Sequence, residues 1–262
     1  MTTQTLPTLA ELAEALTSTV RAAGAAIMEI YESDFQVEHK DDRSPVTAAD
    51  AAGEKIILAD LARLTPDIPV VAEEEAAAGR IPEVGSMFWL VDPLDGTKEF
   101  IKRNGEFTVN IGLVIDRRPA LGLVYVPAQD VLYGGFGPGT AFIERGNAPR
   151  EAIACRRPPA EGLTVLASRS HANSEALQAY LGDKTVADVT NAGSSLKFCR
   201  VAEGAADLYP RFGPTCEWDT CAAHAVLDAA GGGVTLTDGQ PFLYGKVPTF
   251  LNPHFIAHGK GA

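Results

Sequence analysis

An apolar run that ends in two closely spaced acids constrains this chain more than any other feature. Residues Met87–Val91 are all apolar, and Asp92 and Asp95 follow at once, with Pro93 between them and Gly96 behind them. The run predicts a buried strand. Because proline cannot donate to a sheet ladder and glycine permits a tight turn, we expect the strand to end here. Both acids then lie at a strand end, where α/β proteins usually bind ligands.

The chemistry of this acidic motif indicates a divalent cation and a phosphate. Two carboxylates this close repel each other unless a proton or a cation intervenes, and their hard oxygen atoms suit Mg²⁺. The following Gly96 and Thr97 offer backbone N–H groups and a hydroxyl that suit a phosphate ester. Asp-Pro and Asp-Gly are also ordinary turn sequences. Taken alone, the motif therefore leaves a turn and a metal site as equal alternatives.

The balance of charge excludes some classes of partner. The chain has 262 residues, with 22 Lys and Arg against 34 Asp and Glu, and its net charge is −12. Binding to nucleic acid or to an anionic membrane requires basic surface, so neither is expected. An anionic substrate would also be repelled unless bound metal and a local basic pocket offset this charge.

Neither targeting signals nor cysteine pairs are predicted. The N-terminal segment MTTQTLPTLAELAEAL lacks the basic and apolar regions of a signal peptide, and no apolar run approaches transmembrane length. The four cysteines show no metal-binding spacing, so we expect reduced thiols. The expected location is the cytoplasm, with a peripheral position at the inner face of the membrane as the alternative to a free protein.

Hydrophobic periodicity predicts two unlike halves of one compact catalytic unit. Before a Pro-rich break at Arg156–Pro159, it predicts helices over 8–31 and 47–64 and strands over 69–72, 86–92, 107–115, 120–126 and 131–136. The last three strands form an antiparallel meander. After the break it predicts strands over 163–167 and 185–189 and helices over 174–181, 195–202 and 219–230. We expect an α+β half over 1–155 and an α/β half over 156–262.

Further acids lie at predicted strand ends or helix starts. Asp50 lies at the start of a predicted helix, Glu73–Glu75 follow a predicted strand, and Asp219 opens the last helix. Capping is the better isolated explanation for Asp50 and Asp219, and a solvated loop is the better one for the triple acid. A metal centre shared with the strand-end pair is the alternative, which spacing alone does not decide.

Taken together, these motifs resemble one known family. They are Pro45–Thr47 with Asp50, Glu73-Glu74 after a strand, Asp92–Thr97, and Trp218–Thr220 before a helix that ends in glycine. This ordered set is similar to that of the inositol monophosphatase superfamily, and it covers most of the chain. The resemblance implies a layered αβαβα sandwich and a lithium-sensitive, Mg²⁺-dependent phosphatase.

Four segments narrow the resemblance to the bisphosphate nucleotidases of the CysQ type. They are Thr97–Phe100, Ser168–His171, Gly193–Phe198 and Leu208–Thr215. Inositol monophosphatases more often carry Thr-Thr-Asn-Phe at the first of these. The resemblance implies removal of the 3′-phosphate from adenosine 3′,5′-bisphosphate, a by-product of sulfate activation, to give AMP. A related substrate is 3′-phosphoadenosine 5′-phosphosulfate.

The resemblance also implies roles for individual residues in the chemistry. The groups that would hold two to three Mg²⁺ ions are the carboxylates of Glu73, Asp92, Asp95 and Asp219 and the carbonyl of Leu94. Asp50 and Thr97 would orient and deprotonate the attacking water, and Glu73 would help to hold a weaker third ion. These roles agree with general chemistry, because a metal-bound water is far more acidic than bulk water and a second cation stabilises the leaving oxygen.

The substrate contacts implied by the resemblance come from both halves. They are Gly96, Thr97, His171, Ser194, Lys197 and Arg211. Lys197 and Arg211 would hold the 5′-phosphate, while His171 would stack on adenine or bind the sugar. Without the resemblance, Ser194 is better explained as a helix cap, Lys197 as a solvated helix residue and His171 as a surface loop group.

Two other functions remain as alternatives. A sister phosphatase that acts on inositol monophosphate or fructose 1,6-bisphosphate would use the same metal site and differ only in its pocket. A non-catalytic protein that binds divalent ions is an alternative of another class, although an ion buffer would not require Thr97 and Asp50.

Overall fold

Five layers of helix and sheet make up the fold. The computed structural model of the chain describes residues 6–33, 37–39, 45–167 and 175–262. The large sheet has seven strands in the spatial order β3 (Val70–Ala72), β4 (Met87–Asp95), β5 (Thr108–Ile115), β6 (Arg118–Val126), β7 (Val131–Gly135), β8 (Phe142–Arg145) and β9 (Glu151–Ala152). The smaller sheet has five, in the order β11 (Val186–Asn191), β10 (Leu163–Ala167), β12 (Leu208–Arg211), β14 (Phe255–His258) and β13 (Gly233–Leu236). The short strands β1 (Val37–His39) and β2 (Pro45–Thr47) pair with each other.

Helices cover both faces of each sheet. The main helices are α1 (Leu9–Tyr31), α2 (Ala48–Leu64), α5 (Glu175–Leu181), α6 (Leu196–Ala202) and α7 (Cys221–Ala229). Helices α1 and α2 pack on one face of the large sheet, α6 and α7 lie between the two sheets, and α5 packs on the outer face of the smaller sheet. Two short helices, α3 (Glu73–Ala77) and α4 (Thr97–Ile101), follow β3 and β4. This is the αβαβα sandwich that was expected.

Helix α1 shows how local sequence sets the outer layer. Its N-terminus carries a capping box, in which Glu11 N–H donates to Thr8 Oγ1 at 3.3 Å and Thr8 N–H donates to the Glu11 carboxylate at 2.8 Å. Its buried stripe includes Leu12, Leu16 and Val20, which recur at helical spacing. The stripe packs against the large sheet.

Strand β4 alternates between two cores. Trp89 and Val91 pack with α1 and α2, whereas Phe88 and Leu90 pack into the core between the sheets. Successive side chains of a strand point to opposite faces, so a strand that is covered on both sides reads as the continuous apolar run seen in the sequence.

Glycines in the large sheet let α7 approach its backbone. A Cβ at Gly122 would lie 1.9 Å from the carbonyl oxygen of Ala222, and one at Gly112 would lie 2.7 Å from Cys221 Sγ. Because Asp219 lies two residues before α7, this close packing carries Asp219 toward the end of β4. Two glycines that are not themselves part of the acidic group therefore help to build the site described below.

We expect Gly122→Ala to lower Tm by roughly 10 °C, because overpacking a full core costs about 3 kcal/mol. Thermal unfolding followed by circular dichroism measures this. The matched control is Gly85→Ala, since a Cβ at Gly85 meets no atom within 4 Å. The control should stay within about 2 °C of the parent protein. Equal Tm values for both variants would contradict the proposed packing role of Gly122.

Residues on both sides of position 155 share the core between the sheets. That core contains Phe88 and Val124 together with Phe198 and Val226. We propose on this basis that the predicted halves, 1–155 and 156–262, form one unit.

Two expectations from composition can be compared with the structure. The four cysteines are free thiols, and Cys155, Cys199 and Cys221 are buried. Across the described ranges, none of the helices is both long enough and apolar enough to cross a bilayer.

Most predicted elements are present, with shifted ends. The meander of β5, β6 and β7 is antiparallel as predicted. Helix α7 starts at Cys221 rather than at Asp219, because Thr220 takes the N-cap position. The short helices α3 and α4 were not predicted, nor were strands β1, β2, β8, β9, β12, β13 and β14, since each has too few residues to show a clear period.

Candidate functional site

Strand β4 does not end at Asp92, contrary to the prediction. Asp92 pairs with Asn110 and Asp95 pairs with Thr108, so three steps along β4 face two steps along β5. The extra residue forms a β-bulge, which bends the strand and re-aims its side chains. A bulge also tolerates Pro93, which lacks an N–H. The bulge is what sets Asp92 and Asp95 apart from an ordinary strand-end turn.

The predicted acids from four segments meet at this bulge. Burial is the main cause that raises the pKa of Glu73, Asp92 and Asp219, and the charges of neighbouring acids in the group raise each pKa further. Burial also raises the pKa of Asp95. A hydrogen bond from a protonated Asp92 carboxyl lowers the pKa of Glu73, and the charge of Asp50 raises it. Asp50 and Asp92 are buried, whereas Glu73, Asp95 and Asp219 are half-buried. The fold therefore gathers these acids in one place, where their charges oppose one another.

This donor set fits a hard divalent cation. Buried carboxylates whose charges oppose one another need protons or cations to stay together, and oxygen-only ligands favour Mg²⁺. As they stand, no three Asp, Glu, His or Cys side chains in the described ranges form a closed ion site. The acids come from α2, α3, β4 and the turn ahead of α7, and they are neighbours rather than a preformed cage.

The carbonyl predicted to bind metal belongs to a buried residue. Leu94 lies inside the bulge, and its N–H donates to Asp92 Oδ1 at 3.0 Å. This bond orients one oxygen of Asp92.

The raised pKa values predict that metal-free protein loses stability as pH rises. The values are about 6 for Asp95, about 7 for Asp219 and about 8 for Glu73, against about 4 in an unfolded chain. Folded protein thus holds these protons more tightly, so their stabilisation is complete below about pH 4 and is lost as pH rises through about 6 to 8. In excess chelator, Tm should fall across that range.

Mg²⁺ provides the control for this pH prediction. Mg²⁺ should raise Tm, and by more at higher pH, because it replaces the protons. Scanning fluorimetry at each pH with chelator or with Mg²⁺ measures the difference. A difference that does not grow between about pH 6 and pH 8 would contradict the prediction.

Two isolated interpretations of the acids prove wrong. Glu73–Glu75 are not a solvated loop, because they form the first turn of α3. Asp219 does not cap α7: its Oδ2 accepts a hydrogen bond from Cys216 N–H at 2.9 Å, and the N-cap is Thr220. Asp50 is buried in the first turn of α2.

Glu54 is a site neighbour that the sequence interpretation missed. Its buried carboxylate accepts a hydrogen bond from Glu74 N–H at 2.9 Å, whereas the N-cap residue Ala72 offers no side-chain bond to α3. Glu54 thus caps α3 from another helix and fixes the turn that carries Glu73. Its spacing of four from Asp50 on α2 is the signal that could have indicated it.

A cavity of about 230 Å³ opens beside the acids. Its lining includes these residues that were predicted as part of the site: Asp95, Gly96, Ser194, Lys197, Arg211 and Asp219. Lys98, Glu99, Lys102 and Tyr209 also line it. Gly96 has a left-handed φ of 95° at the N-cap of α4, and Thr97 is the first residue of that helix. His171 lies outside the described residues.

The two predicted cations differ in their surroundings. Lys197 is only 4% exposed, so it is not a solvated helix residue. Its Nζ donates to the carbonyls of Ser194 at 2.6 Å and Ala192 at 3.2 Å. Burial lowers the pKa of Lys197 to about 8, and Asp95 opposes this change. Arg211, at the end of β12, donates to the carbonyls of residues 213 and 214.

Ser194 is not the N-cap of α6, since Ser195 takes that position. Ser194 has a left-handed φ of 45°, and its Oγ accepts a hydrogen bond from Leu196 N–H at 3.3 Å. The loop ahead of α6 is therefore a tight turn that faces the cavity.

Comparisons with known proteins agree with this fold. The model of the inositol monophosphatase family matches residues 8–259. The chain is 50% identical over 239 residues to the 3′(2′),5′-bisphosphate nucleotidase CysQ of Escherichia coli (strain K12), which is 90% of this chain and 94% of that protein. It is 42% identical to the protein of the same name in Buchnera aphidicola, over 90% of this chain and 89% of that protein.

Solved structures give the same result. The crystal structure of CysQ from Bacteroides thetaiotaomicron is 38% identical, with a TM-score of 0.79 over 96% of this chain and 98% of that one. An inositol monophosphatase from Anabaena is 27% identical, with a TM-score of 0.73 over 96% of this chain and 92% of that one. The predicted resemblance and the predicted fold are confirmed, and the chain belongs to the inositol monophosphatase family.

Proposed function

We propose that this chain is a 3′(2′),5′-bisphosphate nucleotidase, a Mg²⁺-dependent phosphomonoesterase that removes the 3′-phosphate from adenosine 3′,5′-bisphosphate to give AMP and phosphate. One observation carries the proposal: Asp95 and Asp219, two members of the acidic group, line the same cavity as the cations Lys197 and Arg211. A substrate with two phosphates has one for each side of such a cavity.

The acids would hold the scissile phosphate through bound metal. The carboxylates of Glu73, Asp92, Asp95 and Asp219 and the carbonyl of Leu94 are the groups that fit two to three Mg²⁺ ions. Bound there, Mg²⁺ would acidify a water and neutralise charge on the phosphate. It would also offset the repulsion between a −12 protein and an anionic substrate.

The chain's own residues would orient and deprotonate the attacking water. We assign this role to Asp50 and Thr97, with Asp50 as the group that takes the proton and Glu73 in support. The N–H groups of Gly96 and Thr97 would bind phosphate oxygens, since the turn between β4 and α4 gathers them at one point.

The other side of the cavity would hold the nucleotide. Lys197 uses two of its three N–H donors on carbonyls, which leaves one for the 5′-phosphate. Arg211 presents a planar fork that suits phosphate. Ser194 and His171 would contact the rest of the nucleotide. The name of the Escherichia coli relative, at 50% identity, supports this substrate class. A role in sulfur metabolism would follow from this substrate, as the resemblance implied.

A substrate panel tests the proposed activity. Phosphate release should be fastest in kcat/KM for adenosine 3′,5′-bisphosphate, with 3′-phosphoadenosine 5′-phosphosulfate as a further substrate. A higher kcat/KM for inositol monophosphate or fructose 1,6-bisphosphate would favour the sister-phosphatase alternative. Binding of Mg²⁺ without release of phosphate from any of them would favour a non-catalytic ion-binding protein.

We expect Arg211→Ala to lower kcat/KM for adenosine 3′,5′-bisphosphate by about thirty- to a thousandfold, because one partner of a charge-assisted pair is lost at roughly 2–4 kcal/mol. Inositol monophosphate and aryl phosphates lack the 5′-phosphate, so their kcat/KM should barely change. The Mg²⁺ requirement should also be unchanged.

The matched control for Arg211→Ala is Arg157→Ala, which removes an exposed arginine that is not part of the cavity lining. This variant should match the parent protein on every substrate. Equal losses for Arg211→Ala on all substrates would instead place Arg211 at the scissile phosphate or in a structural role.

A further inference from the structure

A buried set of side-chain hydrogen bonds joins strand β5 to the turn ahead of α6. Ser195 Oγ donates to Asn110 Oδ1 at 2.8 Å, and it lies 2.9 Å from Thr108 Oγ1. All three residues are at most 2% exposed. Because Ser195 donates to Asn110, the hydroxyl of Thr108 donates to Ser195. The bonds thus run in one direction, from Thr108 through Ser195 to Asn110.

The same serine also contacts the acidic group. Its backbone N–H donates to Asp95 Oδ2 at 2.5 Å, and Asp95 is the cross-strand partner of Thr108. Asp95, Thr108 and Ser195 therefore form a closed ring of contacts: a strand pairing, a bond between two hydroxyls, and a bond from backbone to carboxylate. Asn110, the cross-strand partner of Asp92, accepts the second hydrogen bond of the Ser195 hydroxyl and so connects this ring to Asp92.

Other bonds hold the backbone around Ser195, whose carbonyl accepts a hydrogen bond from Phe198 N–H at 3.0 Å. Gly193 N–H donates to Glu106 Oε2 at 2.8 Å, and Lys197 Nζ donates to the carbonyl of Ser194. A left-handed residue such as Ser194 is held by its surroundings rather than by its own preference. Ser195 contacts Asp95 through its N–H, and its hydroxyl ties the same residue to Thr108 and Asn110 of β5.

We infer that Thr108 and Asn110 are positioning residues for Asp95, acting through the hydroxyl of Ser195. They aim the Ser195 N–H at Oδ2 of Asp95, which fixes the carboxylate and keeps its other oxygen for a cation. The inference rests on the proposed function, in which Asp95 binds Mg²⁺. Among the described residues Asn110 Nδ2 has no hydrogen-bond partner, so Asn110 contributes to this arrangement through Oδ1.

The test measures Mg²⁺ binding by isothermal titration calorimetry without substrate. Ser195→Ala keeps the backbone N–H but removes its anchor, and Thr108→Val removes one bond at nearly constant volume. Loss of a group that orients a metal ligand lowers metal affinity about 10- to 100-fold. We expect at least the lower end of that range for Ser195→Ala and a smaller loss for Thr108→Val. The double variant should lose no more than Ser195→Ala, because both changes break the same chain of bonds.

The matched control is Thr65→Val, which removes a buried hydroxyl that is hydrogen-bonded to Trp89 of β4. Thr65 Oγ1 accepts a hydrogen bond from Trp89 Nε1 at 2.9 Å. This control should lower Tm in chelator, because a buried hydrogen bond is lost. It should leave the Kd for Mg²⁺ within about twofold, or about 0.4 kcal/mol, because Thr65 does not contact the acids.

The outcomes separate this inference from the proposed function. If the parent protein gives no Mg²⁺ binding, the proposed metal site fails. If the parent binds and Ser195→Ala and Thr108→Val bind equally well, the positioning role is overturned and the metal site stands. The same conclusion follows if their losses do not exceed that of Thr65→Val. Should Ser195→Ala not fold, Thr108→Val alone decides.

Discussion

Removal of divalent cations is expected to abolish phosphate release, and added Mg²⁺ is expected to restore it. The physical reason lies in the acids around the bulge of β4: without a cation, the protonated ones offer no charge to hold a phosphate and the ionised ones repel it. Mg²⁺ bound there would also acidify a water and so supply a strong nucleophile near neutral pH. The measurement is steady-state phosphate release after chelator treatment, followed by titration with Mg²⁺.

Monovalent ions provide the control for the metal prediction. Li⁺ should inhibit at concentrations at which Na⁺ has no effect, since a general effect of ionic strength would not distinguish them. Full activity in excess chelator would contradict the metal hypothesis. Restoration by Na⁺ alone would do the same.

Long periodic elements could be predicted from the sequence because local signals and packing agree. Helix α1 carries both a capping box at Thr8 and a regular apolar stripe, and both survive in the fold. The apolar run of β4 is covered on two faces, so every residue from Phe88 to Val91 is buried. In such segments the period of the sequence matches the period of the structure.

The bulge and the short elements could not be predicted in the same way. Pro93 correctly indicated a break in the ladder, but the strand continues past it to Asp95 because a bulge absorbs the missing N–H. Asp219 was interpreted as a helix cap because Asp is common at the N-cap position. In the structure its carboxylate accepts a hydrogen bond from Cys216 N–H instead, and Thr220 is the N-cap of α7. Both errors arise where tertiary contacts override local preference.

The position of the acids at strand ends and helix starts made them candidates, the resemblance assigned the roles of the site residues, and the structure supplied the contacts that support them. Spacing alone could not place Glu73 beside Asp219, which lie far apart in the chain. Nor could it link Ser195 to Asn110 or Glu54 to Glu74, because each bond depends on how separate elements pack. The need for glycine at position 122 could not be predicted either, because it depends on how closely α7 packs against β6.

Asp95→Asn is expected to leave the protein folded and to lower turnover by about a thousandfold, which corresponds to a loss of ~4 kcal/mol of transition-state stabilisation. The asparagine is nearly isosteric, and its oxygen can still accept the hydrogen bond from Ser195 N–H. It lacks the negative charge that a cation requires. The measurements are kcat at saturating Mg²⁺ and Tm in chelator.

Stability should move in the opposite direction from rate in this variant. Burial raises the pKa of Asp95 because the charged form is disfavoured there, so removing the charge should keep or raise the Tm of metal-free protein near neutral pH. The matched control is Asp238→Asn, since Asp238 is an exposed turn residue whose carboxylate accepts a hydrogen bond from Gln240 N–H at 3.0 Å. Asp238→Asn should retain full turnover. Near-normal turnover for Asp95→Asn as well would show that Asp95, like Asp238, only shapes a turn. A loss of rate together with a lower Tm in chelator would show that the charge supports the fold rather than the metal.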